Sequence, residues 1–202
     1  MNFLAHTYLS GGNTELITGN LIADFGRGRT AFLHLSDGIN NGVNLHRKID
    51  AFTDSHPLVK EVVSLFKPSQ GRYASIITDI SFDYFLGSKW LNYHDQNLEE
   101  FTEVVYQVIS EKLPDLPPRF QMVFPKMKEQ NWLFNYQFYW GIEKAFNGIS
   151  RRASFESNMQ NALVDLKMFE REIEQRFDVF FKDLCTFVAR EVKDLGKPLP
   201  KL

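Results

Sequence analysis

His46-Arg47-Lys48-Ile49-Asp50-Ala51-Phe52-Thr53-Asp54 sets an imidazole and two carboxylates at successive i, i+4 steps. A helix stacks that spacing on one face, one turn apart. Val43, Ile49 and Phe52 fill the neighbouring apolar stripe, so the polar row borders a core and does not face open water. Acids and an imidazole held beside a low-dielectric interior repel one another unless a cation sits among them. A divalent metal meets that need, and bound metals serve hydrolytic chemistry.

The same helical period runs outward along the chain. Thr14 to Phe25 reads as a helix carrying Leu16, Ile17, Leu21 and Ile22, punctuated by Gly26 and Gly28. Asp37 to Ser55 is stopped by Pro57, which can itself open a short helix through Val59, Val62, Val63 and Phe66. Lys67 to Gly71 reads as a turn. Arg72 to Trp90 is apolar on more than one side (Ile76, Ile77, Ile80, Phe82, Tyr84, Phe85), which predicts a central, buried helix. Helices are expected over Leu98–Leu113, Phe120–Phe134 and Tyr136–Asn147, with Leu113 to Pro118 a rigid connection and Ser150 to Ser154 a loop. From Phe155 the apolar residues trace a long amphipathic helix, broken at most once and ended by Gly196 and Pro198. No strand alternation, repeat or low-complexity tract interrupts this pattern. The expected fold class is all-α, a single helical-bundle domain over residues 1–202.

Composition narrows the function. A hydrophobic share of 44% with 24% charged residues describes a globular chain with ample core material. A net charge of -2 argues against a general nucleic-acid binder, which needs a broadly basic face, but allows a local basic patch for an acidic partner. One cysteine, Cys185, rules out an internal disulfide or a cysteine-based zinc site and fits a reducing compartment; its expected role is a small core residue. Neither a signal peptide nor a membrane span is legible, so the expected location is cytoplasmic. Oligomeric state stays open.

Four groups of residues can carry chemistry. They are His6 near the N-terminus, Asp24 at the end of an apolar helix, the His46/Asp50/Asp54 row, and the i, i+4 pair Asp79 and Asp83. Two carboxylates one turn apart on a mostly apolar helix need a metal, an arginine or a shared proton nearby. Histidines and aspartates without cysteine make a mixed N/O donor set, which suits Mn²⁺, Mg²⁺ or Fe and admits Zn²⁺. Arg27, Arg29, Arg47, Arg151 and Arg152 supply the guanidinium groups that grip phosphate. The aromatic run Trp132 to Trp140 is read first as core, with a pocket wall as the alternative. Together these features describe a helical, metal-dependent phosphohydrolase.

Several segments resemble one family. Met1-Asn2-Phe3-Leu4-Ala5-His6, Gly19-Asn20-Leu21-Ile22-Ala23-Asp24-Phe25, His46 to Asp54, Pro114-Asp115-Leu116-Pro117-Pro118-Arg119-Phe120 and Asn147-Gly148-Ile149-Ser150-Arg151-Arg152 are similar, in order, to the acyl carrier protein phosphodiesterases. The resemblance implies an all-helical, HD-phosphohydrolase-like, Mn²⁺-dependent enzyme that hydrolyses 4′-phosphopantetheine from the serine of holo-acyl carrier protein. It lands on His6, Asp24, His46, Arg47, Asp50, Asp54, Asp79 and Asp83. It implies metal binding by His6, Asp24, His46, Asp50 and Asp79, charge neutralisation by Arg47, and a base or orienting carboxylate at Asp54 or Asp83. Arg27, Arg29, Arg151 and Arg152 are expected to guide the acidic carrier. Tyr8 departs from the family, standing where its members carry a second histidine, and the superfamily's adjacent His-Asp motif is read as absent, so no ligand is assigned from it. A nucleotide or other small phosphoester is the alternative substrate, and a non-enzymatic carrier-binding module is the alternative class.

Overall fold

The computed structural model describes residues 1–26 and 30–194. It is all-α, and among the described residues there is no strand. The chain opens with a short helix absent from the sequence reading, α1 (Phe3–Tyr8). Gly11 and Gly12 reverse the chain at φ 58° and 72°, a backbone region closed to most side chains. That turn lays α2 (Thr14–Ile22) back along α1, with the Asn13 side chain accepting the Glu15 and Leu16 amides as an N-cap. A 3-10 turn, Ala23–Phe25, continues α2.

Helix α3 (Asp37–Ser55) begins on Ser36, whose hydroxyl accepts the Ile39 amide, and ends where Pro57 starts α4 (Pro57–Gln70). Helices α5 (Ala74–Ser88), α6 (Leu98–Lys112), α7 (Pro118–Glu129), α8 (Trp132–Asn135) and α9 (Tyr139–Ser150) follow, then α10 (Ala162–Met168) and α11 (Glu170–Asp194). As expected, α5 is central. Ile77, Ile80, Phe82, Phe85 and Leu86 are buried, and Phe82 meets Phe177 and Phe180 of α11 at ring distances of 5.4 and 5.3 Å. Ile76 is the exception and lies at the surface. Cys185 is buried in the same core, where burial pushes its thiol up to about 12. No helix among the described residues is long and apolar enough to cross a membrane.

Helices α2 and α3 cross in backbone contact. A Cβ placed on Gly19 would sit 2.1 Å from the Ile39 carbonyl oxygen and 2.6 Å from Gly42 Cα. A Cβ on Gly42 would sit 2.7 Å from the Leu16 oxygen. Only glycine at both positions permits this approach, and it places Asn20 of α2 against His46 of α3.

Several expected boundaries shift, the Tyr136–Asn147 helix to Tyr139–Ser150 among them. Lys67 to Gly71 is not a turn: α4 runs through to Gln70 with Pro68 inside its last turn, and Gly71 at φ 53° ends it. The helix expected over Phe120–Phe134 breaks at Asn131, which adopts φ 46° and separates α7 from α8. The C-terminal amphipathic segment starts later than Phe155, after a coil at residues 151–158, and is interrupted at Phe169. Its expected end at Gly196 and Pro198 lies outside the described residues, as does Gly28.

Candidate metal centre

Four residues singled out in the sequence meet where α1, α2 and α3 converge. The rings of His6 and His46 stack at 3.9 Å, and both are buried. Asp50 spans them: its Oδ1 is 3.2 Å from His6 Nε2 and its Oδ2 is 3.1 Å from His46 Nε2. Asp24, from the 3-10 turn, brings Oδ1 to 3.3 Å from His46 Nε2. His6, His46 and Asp50 offer one ligand atom each within 4.8 Å of one another, close enough to share one metal ion.

The tautomers follow from Asn20, which the sequence reading did not single out. Its side-chain Nδ2 donates to Ser10 Oγ at 2.8 Å, so its Oδ1 is the atom facing His6 Nδ1 at 3.2 Å. That oxygen accepts a proton from His6 Nδ1. The backbone oxygen of the same residue accepts from His46 Nδ1 at 2.8 Å. Both Nδ1 atoms therefore carry hydrogen, and both Nε2 atoms point into the carboxylate cluster. Each Nε2 is buried and has only carboxylate oxygens near it, none of them in hydrogen-bond geometry. Buried polar atoms without partners are rare, and two aimed at one point are what a bound cation resolves. The donor set fits a divalent metal.

The electrostatics show a cluster that retains positive charge on His46. Burial alone would depress His46, but Asp24 and Asp50 outweigh it and raise its pKa to about 9. Burial, together with the His46 charge, drops His6 to about 4. Asp50 lies well below the usual carboxylate range, because the two imidazoles outweigh its own burial, and Asp24 is lowered by His46 beside it. Among the described residues, no arginine pairs with these acids: Arg47 is exposed with Nη1 3.5 Å from Asn44 Oδ1, and Arg72 stacks over Phe155 at 4.1 Å.

The other sequence candidates fall around this cluster. Asp79 accepts from the Met1 ammonium at 2.9 Å, and the same ammonium lies 3.7 Å from Asp50, so Asp79 reaches the cluster through it. Burial raises Asp79 in spite of that partner. Asp83 is fully buried, and both its oxygens are engaged by backbone amides, Leu4 at 2.8 Å and Ala5 at 3.1 Å. It caps α1 from a neighbouring helix, in place of the local cap that Asn2 does not provide. Burial pushes its pKa up to about 7. Asp54 is exposed, one turn beyond Asp50. Arg151 and Arg152 are exposed at the end of α9, with Arg152 Nε donating to the Gly148 carbonyl. Arg27 and Arg29 lie outside the described residues.

Sequence reading also passed over the dipeptide His94-Asp95. Its imidazole stacks on Trp90, Nδ1 accepts the Gln96 amide, and it stands outside the His6–His46–Asp50 group.

Known proteins similar to this chain share one description. Curated relatives named acyl carrier protein phosphodiesterase include one from Salmonella agona (strain SL483), 32% identical over 95% of this chain and 99% of its own length. Another, from Enterobacter sp. (strain 638), is 33% identical over 90% of this chain and 94% of its own. No solved structure gives a significant match. The model of the family described as acyl carrier protein phosphodiesterase matches residues 1–184, and the chain belongs to that family.

Proposed function

We propose that this protein is a divalent-metal-dependent phosphodiesterase that releases 4′-phosphopantetheine from the serine of holo-acyl carrier protein. One observation carries the metal: the buried Nε2 atoms of His6 and His46, neither in hydrogen-bond geometry, converge on Asp50, with Asp24 beside His46. The relatives' names carry the substrate. The N/O donor set favours Mn²⁺, with Mg²⁺ or Fe as alternatives, and supports an HD-phosphohydrolase-like reading of the helical frame.

His6, His46, Asp50 and Asp24 would hold the ion, with Asp79 behind Asp50 as an outer partner. When bound, the ion supplies Lewis-acid charge at the phosphoryl group and eases deprotonation of water. Asn20 keeps both imidazoles in the tautomer that presents Nε2. Arg47, adjacent to His46 and free of any carboxylate among the described residues, neutralises charge growing on the phosphoryl oxygens. Asp54, exposed one turn beyond Asp50, would accept the proton of the attacking water. Asp83 acts by position, since both of its oxygens are committed to α1. Arg151 and Arg152, and Arg27 and Arg29 in the same role, steer the acidic carrier.

The test incubates purified protein with holo-carrier and Mn²⁺, with and without chelator, and follows the carrier by mass. Loss of the 4′-phosphopantetheine mass, abolished by chelator, is expected. Carrier left intact while nucleotide or simple phosphoesters are cleaved transfers the reading to a small substrate. Carrier bound but uncleaved, with binding insensitive to chelator, makes the protein a carrier-binding module.

A further inference from the structure

A pocket of about 400 Å³, within the range of small-ligand sites, has Phe25 in its wall. Phe25, Ala31, Leu116 and Pro117 form its largely apolar walls, and His34 and Arg119 stand at its edge. It opens between the 3-10 turn and the start of α7. Phe25 is the residue after Asp24, so a pocket wall and a metal-facing carboxylate are one peptide apart.

The walls are built to hold shape. Phe25 packs edge-on against Phe120 at 5.0 Å and stacks with Phe3 of α1 at 6.2 Å, three residues before His6. On the far side, His34 Nε2 donates to the Asp115 carbonyl at 3.0 Å, tying the 30–35 turn to the segment that precedes α7. Arg119 places its guanidinium 5.9 Å over the Phe25 ring. It is exposed and has no carboxylate partner among the described residues.

We propose that this pocket receives the pantetheine arm of the carrier, with Arg119 as a substrate-binding residue at its mouth. The proposal rests on the phosphodiesterase reading above and names where the leaving half of the substrate sits. A pantetheine arm is thin, its gem-dimethyl and methylene groups apolar between a hydroxyl, two amides and a thiol, and its one anion is the phosphodiester at its end. The pocket offers apolar walls and, from the first turn of α7, the Arg119 guanidinium over the Phe25 ring, with no carboxylate partner among the described residues. Contiguity matters as much as charge: with its phosphate at the His6–His46–Asp50 cluster, the arm meets the Phe25 wall one residue from Asp24.

The experiment has two arms. In the first, pantetheine alone is titrated into metal-free protein and followed by calorimetry. Wild type binds it, and Ala31→Phe, which fills the pocket, weakens binding about tenfold or more. Absence of binding to wild type, or equal binding to Ala31→Phe, overturns the assignment. In the second, kcat/KM is measured with Mn²⁺ on holo-carrier and on bis(4-nitrophenyl) phosphate, which has no arm. The ratio of carrier to small-diester efficiency falls about tenfold in Ala31→Phe and in Arg119→Ala, through KM for the carrier. Arg119 is exposed, so its replacement leaves the core intact. An unchanged ratio in both variants overturns the proposal. Carrier left uncleaved by wild type, while pantetheine still binds in the first arm, defeats the phosphodiesterase reading and leaves the pocket standing.

Discussion

His6 and His46 lie ring on ring, centroids 3.9 Å apart and planes 14° from parallel, although they come from α1 and α3. Two imidazolium ions cannot share that spacing, so the metal-free protein charges one ring only. His46, between Asp24 and Asp50, holds its proton up to about pH 9, while His6 stays neutral down to about 4. The His46 proton thus stands in for a cation. Its folded pKa exceeds the ordinary 6.5, so its stabilisation is complete below pH 6.5 and fades as pH rises through 9. Loading a metal at pH 7 must displace that proton. Calorimetric titrations of Mn²⁺ in buffers of different ionisation enthalpy should report about one proton released at pH 7 and almost none well above pH 9. A proton count that does not vary with pH would contradict this assignment.

Asn20 binds both imidazoles, one through its side chain and one through its backbone. Substitution separates the two contacts. Asn20→Ala leaves the His46 contact and removes the acceptor that fixes His6. Mn²⁺ affinity should fall about 10–100-fold, the usual cost of losing a partner behind a metal ligand. Metal titration checks this, with far-ultraviolet circular dichroism as the control for fold.

How much of this was legible follows from what each residue depends on. His46 and Asp50 share one helical face, so spacing alone joins them. Asp24 and His6 stand out because a carboxylate at a helix end and a histidine after an apolar triplet are locally awkward, but their meeting depends on the Gly11-Gly12 reversal and the Gly19–Gly42 crossing. Neither is encoded in a period. Asn20 carried a signal, a polar residue beside glycine in an apolar run, whose meaning depends on α3 being in backbone contact. Asp79 and Asp83 were rightly marked as needing compensation, yet it comes from an ammonium and two amides at the other end of the sequence. The α7–α8 break at Asn131 was hidden because apolar spacing continues across it while φ reverses.

The glycine crossing gives a prediction about both stability and metal. In Gly19→Ala the added methyl meets the Ile39 carbonyl and Gly42 Cα, both backbone atoms that no rotamer change can move. Helices α2 and α3 must separate, at a cost of about 1–3 kcal/mol. The Asn20 carbonyl then withdraws from His46, so Mn²⁺ affinity falls with stability. Gly148, inside α9 where a methyl meets nothing within 4 Å, is the control, and Gly148→Ala should leave metal affinity unaffected and stability unchanged or raised by up to about 1 kcal/mol. Urea denaturation and metal titration on the two variants decide it, and equal behaviour would show that the crossing tolerates a side chain.

Asp83 tests whether α1 is held from outside. The helix spans six residues and has no side-chain cap of its own, so its existence depends on the carboxylate of α5 that takes the Leu4 and Ala5 amides. Asp83→Asn keeps the size but offers one oxygen where two amides need acceptors. One buried donor loses its partner, which costs about 1–3 kcal/mol. The loss depends on pH. Burial holds the Asp83 pKa near 7 against an ordinary 3.8, so the native state takes up a proton between those values, and the wild type gives up stability as pH rises through that window. Asparagine cannot ionise, so the stability gap between wild type and Asp83→Asn should narrow from pH 4 to pH 8. Because His6 sits in α1, Mn²⁺ affinity should fall in the same variant even where it remains folded. Denaturation at both pH values, with metal titration at pH 7.5, provides the check; a gap that widens with pH would mean the carboxylate is ionised throughout and that its charge, not its burial, governs the cap.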